Sequence, residues 1–301
     1  MFQKSLAVVA TGFLSLGAAQ AMGSAYGAGI ENSQWYHSGS VFACTLTHEV
    51  PGYGRAVFHH RAGEDLTFYL ETQTRLMKTG RGELVIEAPA WRPGVDPRPL
   101  GNVTVSGERR PVHIETPQAF SMARSLLRGM APTITQEARY SADPVRVRVS
   151  NINFGGPWQD YQSCVSGLLP VNYDQIRRSR IGFDSGGSTL TDEHRQRLDL
   201  IVQFVEADPS VERIFVDGHT DRQGNRIDNR ALSEERAKVV ARYLQQQGIQ
   251  KDMIIQRYHG ERYPAYADPR KNRRATIRLE RQGETTVLQR ADSGNGDGAS
   301  G

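Results

Sequence analysis

The chain has 301 residues, 38% of them hydrophobic and 23% charged, enough for two ordinary domains with sizeable cores. The formal net charge is +4, but Lys and Arg are spread along the chain without a run of five like charges, which argues against a nucleic-acid-binding protein. No segment after the N-terminal twenty residues is apolar enough to span a bilayer as a helix, so no membrane span is expected in the mature chain.

The first element is a targeting segment. Lys4 precedes the apolar run Ser5–Ala19, and Ala19-Gln20-Ala21 follows as a small-residue cleavage site. The spacing predicts a signal peptide over residues 1–21 and export of the remainder. No cysteine follows the site, which argues against a lipid-modified N-terminus. An oxidising compartment favours pairing Cys44 with Cys164, the only two cysteines. Two buried free thiols are the alternative.

Residues 22–172 read as a β-rich domain. The segments "VFACTLT", "LTFYLET", "ELVIEA", "NVTVS", "PVHIET" and "VRVRVS" alternate apolar and polar residues, with Pro, Gly and Asn between them. Only Gln118–Met130 has a helical period there. Ala88–Gly101 reads as a proline-rich loop carrying Trp91.

From Ile181 the period changes, and residues 173–283 read as a second domain. "RIGFD" is a short strand. Thr191 is placed to cap a helix whose apolar stripe is Leu198, Ile201, Val202 and Val205, and Asp208-Pro209 ends it. "VERIFVDG" is a strand, and a helix follows through Gln247, stopped by Gly248. "DMIIQRYHG" and "ATIRLER" are two further strands. The order β-α-β-α-β-β predicts an α/β sandwich, and the chain as a whole an α+β protein. Residues 284–301 read as a disordered tail.

The densest chemistry lies in "VDGHTDRQGNRIDNRALSEERAKVVARYL", residues 216–244. Asp217, His219 and Asp221 fall at calcium-loop spacing, but Arg222 stands where the loop needs glycine and Asp228 where it needs glutamate. One histidine is too few for zinc. No serine or cysteine nucleophile sits in a strand–turn–helix elbow, so an enzyme is not expected, and no cofactor. On a helical wheel with Leu232 at zero, Arg236 falls at about 40°, inside the stripe of Leu232, Val239, Tyr243 and Val240. A cation there, near the positive end of the helix dipole, is costly unless partnered. Asp221 is the natural partner. Two readings stay open: a bracing Asp221–Arg236 ion pair, or a receptor in which Asp221 takes an ammonium and Arg236 clamps a carboxylate. Asn229 would add an amide contact or cap the helix.

This stretch, with "FDSGGSTL" before it and "KNRRATIRL" after it, resembles the OmpA-like peptidoglycan-binding domain over Ile181–Arg281. The resemblance implies an OmpA-like sandwich that binds the diaminopimelate of the cell-wall stem peptide, whose side chain ends in an ammonium and a carboxylate. It places binding on Asp221 and Arg236, with Asn229, Leu232 and Phe183 lining the pocket and Asn272 and Arg273 matching the family's "NRR" segment. Upstream, "SQW", "ACTLTHEVPGYGRAVFHHRAGEDLTFYLE", "PAWRPG" and "DYQSCVSGLLPVNYDQI" resemble the MotY family of flagellar T-ring proteins. That resemblance implies a periplasmic ring around the basal body that holds stator units, with MotX as partner and residues 22–172 as the motor-docking domain. A general envelope protein that binds peptidoglycan without a motor role is the alternative. A porin barrel fits poorly, because the strands are mostly five to seven residues where about 9–11 are needed.

Overall fold

The computed structural model describes residues 24–89 and 92–284. The expected signal peptide and the tail beyond Glu284 lie outside the described residues, as does Trp91.

The first half supplies strands β1 (Ser24–Tyr26), β2 (Trp35–Gly39), β3 (Ala43–Val50), β4 (Gly54–Arg61), β5 (Thr67–Thr72), β6 (Gly80–Glu87), β7 (Arg98–Val105) and β8 (Val112–Ile114). Helix α1 (Thr116–Leu127), strands β9 (Ala131–Gln136) and β10 (Val145–Arg148), and helix α2 (Gly155–Ser166) follow. The strands form one 10-stranded sheet in the order β1-β10-β9-β6-β7-β8-β5-β4-β3-β2. Alternation explains the membership: in β6, Leu84 and Ile86 are buried while Glu83 is exposed. Trp35 packs on Phe154 at 4.8 Å and on Phe58 at 6.0 Å. Its indole N–H donates to the Ser150 carbonyl at 3.0 Å, which lets so large a polar-edged ring lie buried.

Three expectations for this half are corrected. Residues Arg98–Gly101 are strand rather than loop, since β7 pairs with β6 from Arg98 onward. "GRAVFHHR" and "APTITQ" are strands that the pattern did not single out. And α2 is a second helix beside α1. Its two glycines and Pro157 crowd the first turn, where proline is tolerated, and its weak apolar period hid it.

The second half runs α3 (Tyr173–Ile176), β11 (Arg178–Gly182), α4 (Asp192–Ala207), β12 (Val211–His219), α5 (Arg226–Gln246), β13 (Ile254–Tyr258), α6 (Pro269–Asn272) and β14 (Arg274–Arg281). A single 3-10 turn, Lys251–Met253, precedes β13. The strands form a four-stranded sheet ordered β11-β14-β12-β13, in which β12 and β13 are parallel and β14 runs against β11 and β12. Thr191 caps α4: its hydroxyl accepts from the His194 N–H, and the His194 ring accepts in return from the Thr191 N–H. Leu198, Ile201, Val202 and Val205 are buried in the core with Ile214, Val216, Val240 and Leu244. Gly248 ends α5 with a φ of 104°, a conformation that favours glycine.

Contacts divide the chain into two units. One holds residues up to His37, Thr45–His59 and Leu66–Asp160, and the other holds Ser38–Cys44, His60–Asp65 and Tyr161 onward. The second unit therefore includes two early segments. Cys44 and Cys164 form a disulfide within it, closing a separation of 120 residues. Phe42 packs on Phe204 at 5.5 Å, and the Asn172 amide donates to the Ala62 carbonyl at 3.0 Å and to the Glu64 carboxylate at 2.8 Å.

Candidate site at the carboxyl ends of the parallel strands

Because β12 and β13 are parallel, their carboxyl ends deliver two loops to the same edge of the sheet: residues 220–225 before α5, and 259–268 before α6. Such ends are where ligands gather in sheets with parallel strands. Gly218 fixes how closely α5 approaches, since a Cβ there would stand 1.9 Å from the Ser233 carbonyl oxygen. Small residues continue that face, with Ser233, Ala237 and Ala241 all buried.

The buried face of α5 is therefore Asn229, Ser233, Arg236, Ala237, Val240, Ala241 and Leu244. Leu232, Val239 and Tyr243, which the wheel placed at the centre, are only half-buried and flank it. Arg236 lies within the buried arc at 0% exposure.

Arg236 is not ion-paired to Asp221, which corrects the pairing expected from the wheel. Its Nε donates to the Gly187 carbonyl at 2.8 Å, one terminal nitrogen to His219 O at 2.8 Å, and the other to Asp184 O at 3.0 Å. A guanidinium has five N–H groups, so one remains on each terminal nitrogen. The Phe183 ring lies 5.3 Å from the guanidinium carbon. Burial lowers the Arg236 pKa to about 10, while the nearby Asp221 charge pulls it back up and Arg273 pushes it down. It stays a cation at neutral pH.

Asp221 pairs instead with Arg273, at 3.1 Å, and accepts from the Gln223 N–H at 3.3 Å. Arg273 also donates to the Phe183 carbonyl at 3.3 Å, and the Phe183 N–H to the Arg273 carbonyl at 2.9 Å. Phe183, Asp221, Arg236 and Arg273 thus form one cluster. Asn229 is buried at the helix start without capping it, because Asn225 is the cap. The Asn229 amide instead joins the two loops, donating to the Gln223 carbonyl at 3.0 Å and to the Glu261 carboxylate at 2.5 Å. Asn272 stands apart as a loop brace, accepting from the Ala265 and Tyr266 N–H groups and donating to the Tyr266 carbonyl.

Asp217, His219 and Asp228 serve the fold instead. Asp217 accepts from Arg257 at 2.6 and 2.9 Å and faces the His259 ring at 2.9 Å. Burial would raise its pKa, but the His259 and Arg257 hydrogen bonds outweigh burial and hold it down at about 2. His219 is buried and stacks on His259 at 5.0 Å. Burial, reinforced by the charge of Arg274, lowers its pKa to about 3, so it is neutral. Asp228 bonds to Asn225 at the helix cap. Among the described residues no group of three or more His, Cys, Asp or Glu side chains is disposed to hold a metal ion, and no helix is long and apolar enough to cross a membrane.

Glu261 escaped notice in the sequence. The available signal was topological: a carboxylate three residues past the end of β13 meets the loop past β12 only if the two strands are parallel.

Two family models match the chain, one in each half. Residues 182–278 match the OmpA family, and residues 26–170 match the MotY N-terminal domain. The peptidoglycan-associated lipoprotein of Pasteurella multocida is 35% identical over 108 residues, which cover 34% of this chain and 71% of that one. Outer membrane protein A of Salmonella typhi is 41% identical over 88 residues, but these span 29% of this chain and only a quarter (25%) of that relative. The peptidoglycan-associated lipoprotein structure from Burkholderia pseudomallei aligns at 25% identity and a TM-score of 0.32, covering 34% of this chain and 89% of that one. On the family match alone, the second half of this chain holds an OmpA-family domain. Over 277 residues, covering 89% of this chain and 94% of the relative, the chain is 26% identical to the sodium-type flagellar protein MotY of Vibrio parahaemolyticus. In this chain a MotY N-terminal domain is thus followed by an OmpA-family domain.

Proposed function

We propose that this protein is a periplasmic component of the flagellar motor that binds peptidoglycan through its C-terminal domain and helps anchor stator units around the basal body. The observation that carries the wall-binding part is the cluster itself. A fully buried Arg236 keeps two N–H groups uncommitted beside an Asp221 carboxylate with acceptor capacity to spare. Asp221 receives the ammonium of diaminopimelate, and the Arg236 fork receives its carboxylate. The turn at Asp184–Gly187 covers that fork and contains two glycines, so binding requires the turn to yield. Arg273 orients Asp221, Phe183 and Leu232 supply apolar walls, Asn229 holds the two loops together, and Asn272 shapes the second loop. The motor role rests on the likeness to MotY along nearly the whole chain. Residues 22–172 then dock on the basal body, with a MotX-like partner, while residues 173–283 hold the wall.

The test combines sedimentation with motility. Purified protein should pellet with insoluble peptidoglycan. Asp221→Ala and Arg236→Ala should each lose about 2–5 kcal/mol of binding, because each leaves a buried charge without its counterpart in the complex. Retention of wall binding by Asp221→Ala, with an unchanged melting curve, would sink the receptor reading. A deletion strain with intact filaments should swim poorly, and normal swimming would remove the motor role.

A further inference from the structure

Next to Asn229 lies a groove of about 470 Å³, lined by Arg226, Ile227, Arg230, His259, Gly260, Glu261 and Arg262. Its volume is in the range of small-ligand sites. Three cations face one carboxylate, and that carboxylate, Glu261, is already held by Asn229 at 2.5 Å. The neighbouring salt bridges go elsewhere: Arg257 to Asp217, Arg273 to Asp221 and Arg270 to Asp268. Among the described residues no carboxylate pairs with Arg226, Arg230 or Arg262. Arg230 lies 4.9 Å over the Tyr258 ring, which positions its head group without neutralising it. Ile227 is 82% exposed, so the groove offers apolar surface next to uncompensated positive charge.

Asn229 connects this groove to the Asp221 loop, since one amide touches both Gln223 and Glu261. The groove thus adjoins the loop that carries Asp221. Building on the proposed function, we infer that the Arg226–Arg230–Arg262 groove binds a second carboxylate of the stem peptide, the free α-carboxylate of its γ-linked D-glutamate, with Ile227 against the adjacent methylenes. The site then selects stem peptides in which that carboxylate is free over those in which it is amidated. Guanidinium groups suit this task because they offer paired donors to a planar carboxylate.

Calorimetric titration of the full chain tests this with three probes: diaminopimelate, the tripeptide L-Ala-γ-D-Glu-diaminopimelate, and the same tripeptide with an α-carboxamide. The free-acid tripeptide should bind about tenfold tighter than the carboxamide, and the gap should shrink as salt rises. In R226Q/R230Q/R262Q the gap should close while diaminopimelate affinity stays unchanged and the melting curve is preserved. Equal binding of the two tripeptides, or a gap that survives the triple substitution, would overturn the groove assignment and leave the diaminopimelate site standing. Failure of diaminopimelate itself to bind would count against the proposed function and this extension together. Arginine-dependent binding to anionic phospholipid vesicles, without discrimination between the tripeptides, would overturn the assignment in favour of a membrane surface.

Discussion

At the scale of single residues, two buried groups carry measurable consequences. His219 is neutral in the folded chain, with its pKa lowered to about 3 by burial and by Arg274, while Asp217 pulls weakly the other way. An unfolded histidine titrates near 6.5. Stability from this residue is thus fully present above about pH 6.5 and declines as pH falls toward about 3, because only the unfolded chain takes up the proton. Between pH 7 and pH 5 the loss should be about 2 kcal/mol. Urea midpoints across this range should fall more steeply for the parent than for His219→Gln, and parallel slopes would refute the assignment. Arg236 makes a second case. Arg236→Ala leaves the carbonyls of Asp184, Gly187 and His219 without their donor, and should cost about 3 kcal/mol in urea unfolding. Arg236→Lys cannot span three acceptors and should recover only part of that loss. Arg236 could be singled out from the sequence because a cation inside an apolar stripe breaks a local rule. Its true partners are backbone carbonyls, which no side-chain pattern records.

At the scale of elements, the contact of β12 with α5 is the tightest constraint near the site. Gly218→Ala would press a methyl group onto the Ser233 carbonyl, with 1.9 Å between the atoms if nothing moved. The helix must shift, so the expected destabilisation is roughly 3 kcal/mol, at the upper end for overpacking. The helix carries Asn229 and Arg236, so wall sedimentation should fall with it. Thr191→Ala makes a useful contrast, because it removes only the cap of α4. It should cost about 1 kcal/mol and leave wall binding intact. Circular-dichroism melts paired with sedimentation would separate the two. If Gly218→Ala matched the parent in both assays, the close approach would not be a constraint.

At the scale of the whole molecule, chain order and spatial grouping differ. Ser38–Cys44 and His60–Asp65 group with the C-terminal half, where the Cys44–Cys164 disulfide, the Phe42–Phe204 contact and the Asn172 hydrogen bonds hold them. A fragment beginning at Tyr173 keeps the four-stranded sheet but loses all three. It should bind peptidoglycan yet unfold at lower urea than the same residues in the full chain. Equal midpoints would mean that these early segments add nothing to that unit. In the full chain, reducing the disulfide should cost about 4–5 kcal/mol on the chain-entropy model. A Cys44→Ser, Cys164→Ser double variant should show the same loss, and an unaltered midpoint would contradict it.

Elements with strong local signals were legible from the amino acids alone. The Thr191 cap, the Leu198–Val205 stripe and the Gly248 stop need only near neighbours to act, so the sequence determined α4 and the end of α5 by itself. It also marked Asp221 and Arg236 as unusual, through the cost of a charge on an apolar face. Tertiary structure decided everything that depends on distant partners. The pairing of Asp221 with Arg273 spans 52 residues and exists because β14 begins beside β12. The buried face of α5 turned toward Ser233, Ala237 and Ala241, because packing against Gly218 rewards small side chains that a hydrophobicity pattern overlooks. Glu261 reached Asn229 through the parallel register of β12 and β13, and short-range periodicity carries no information about register.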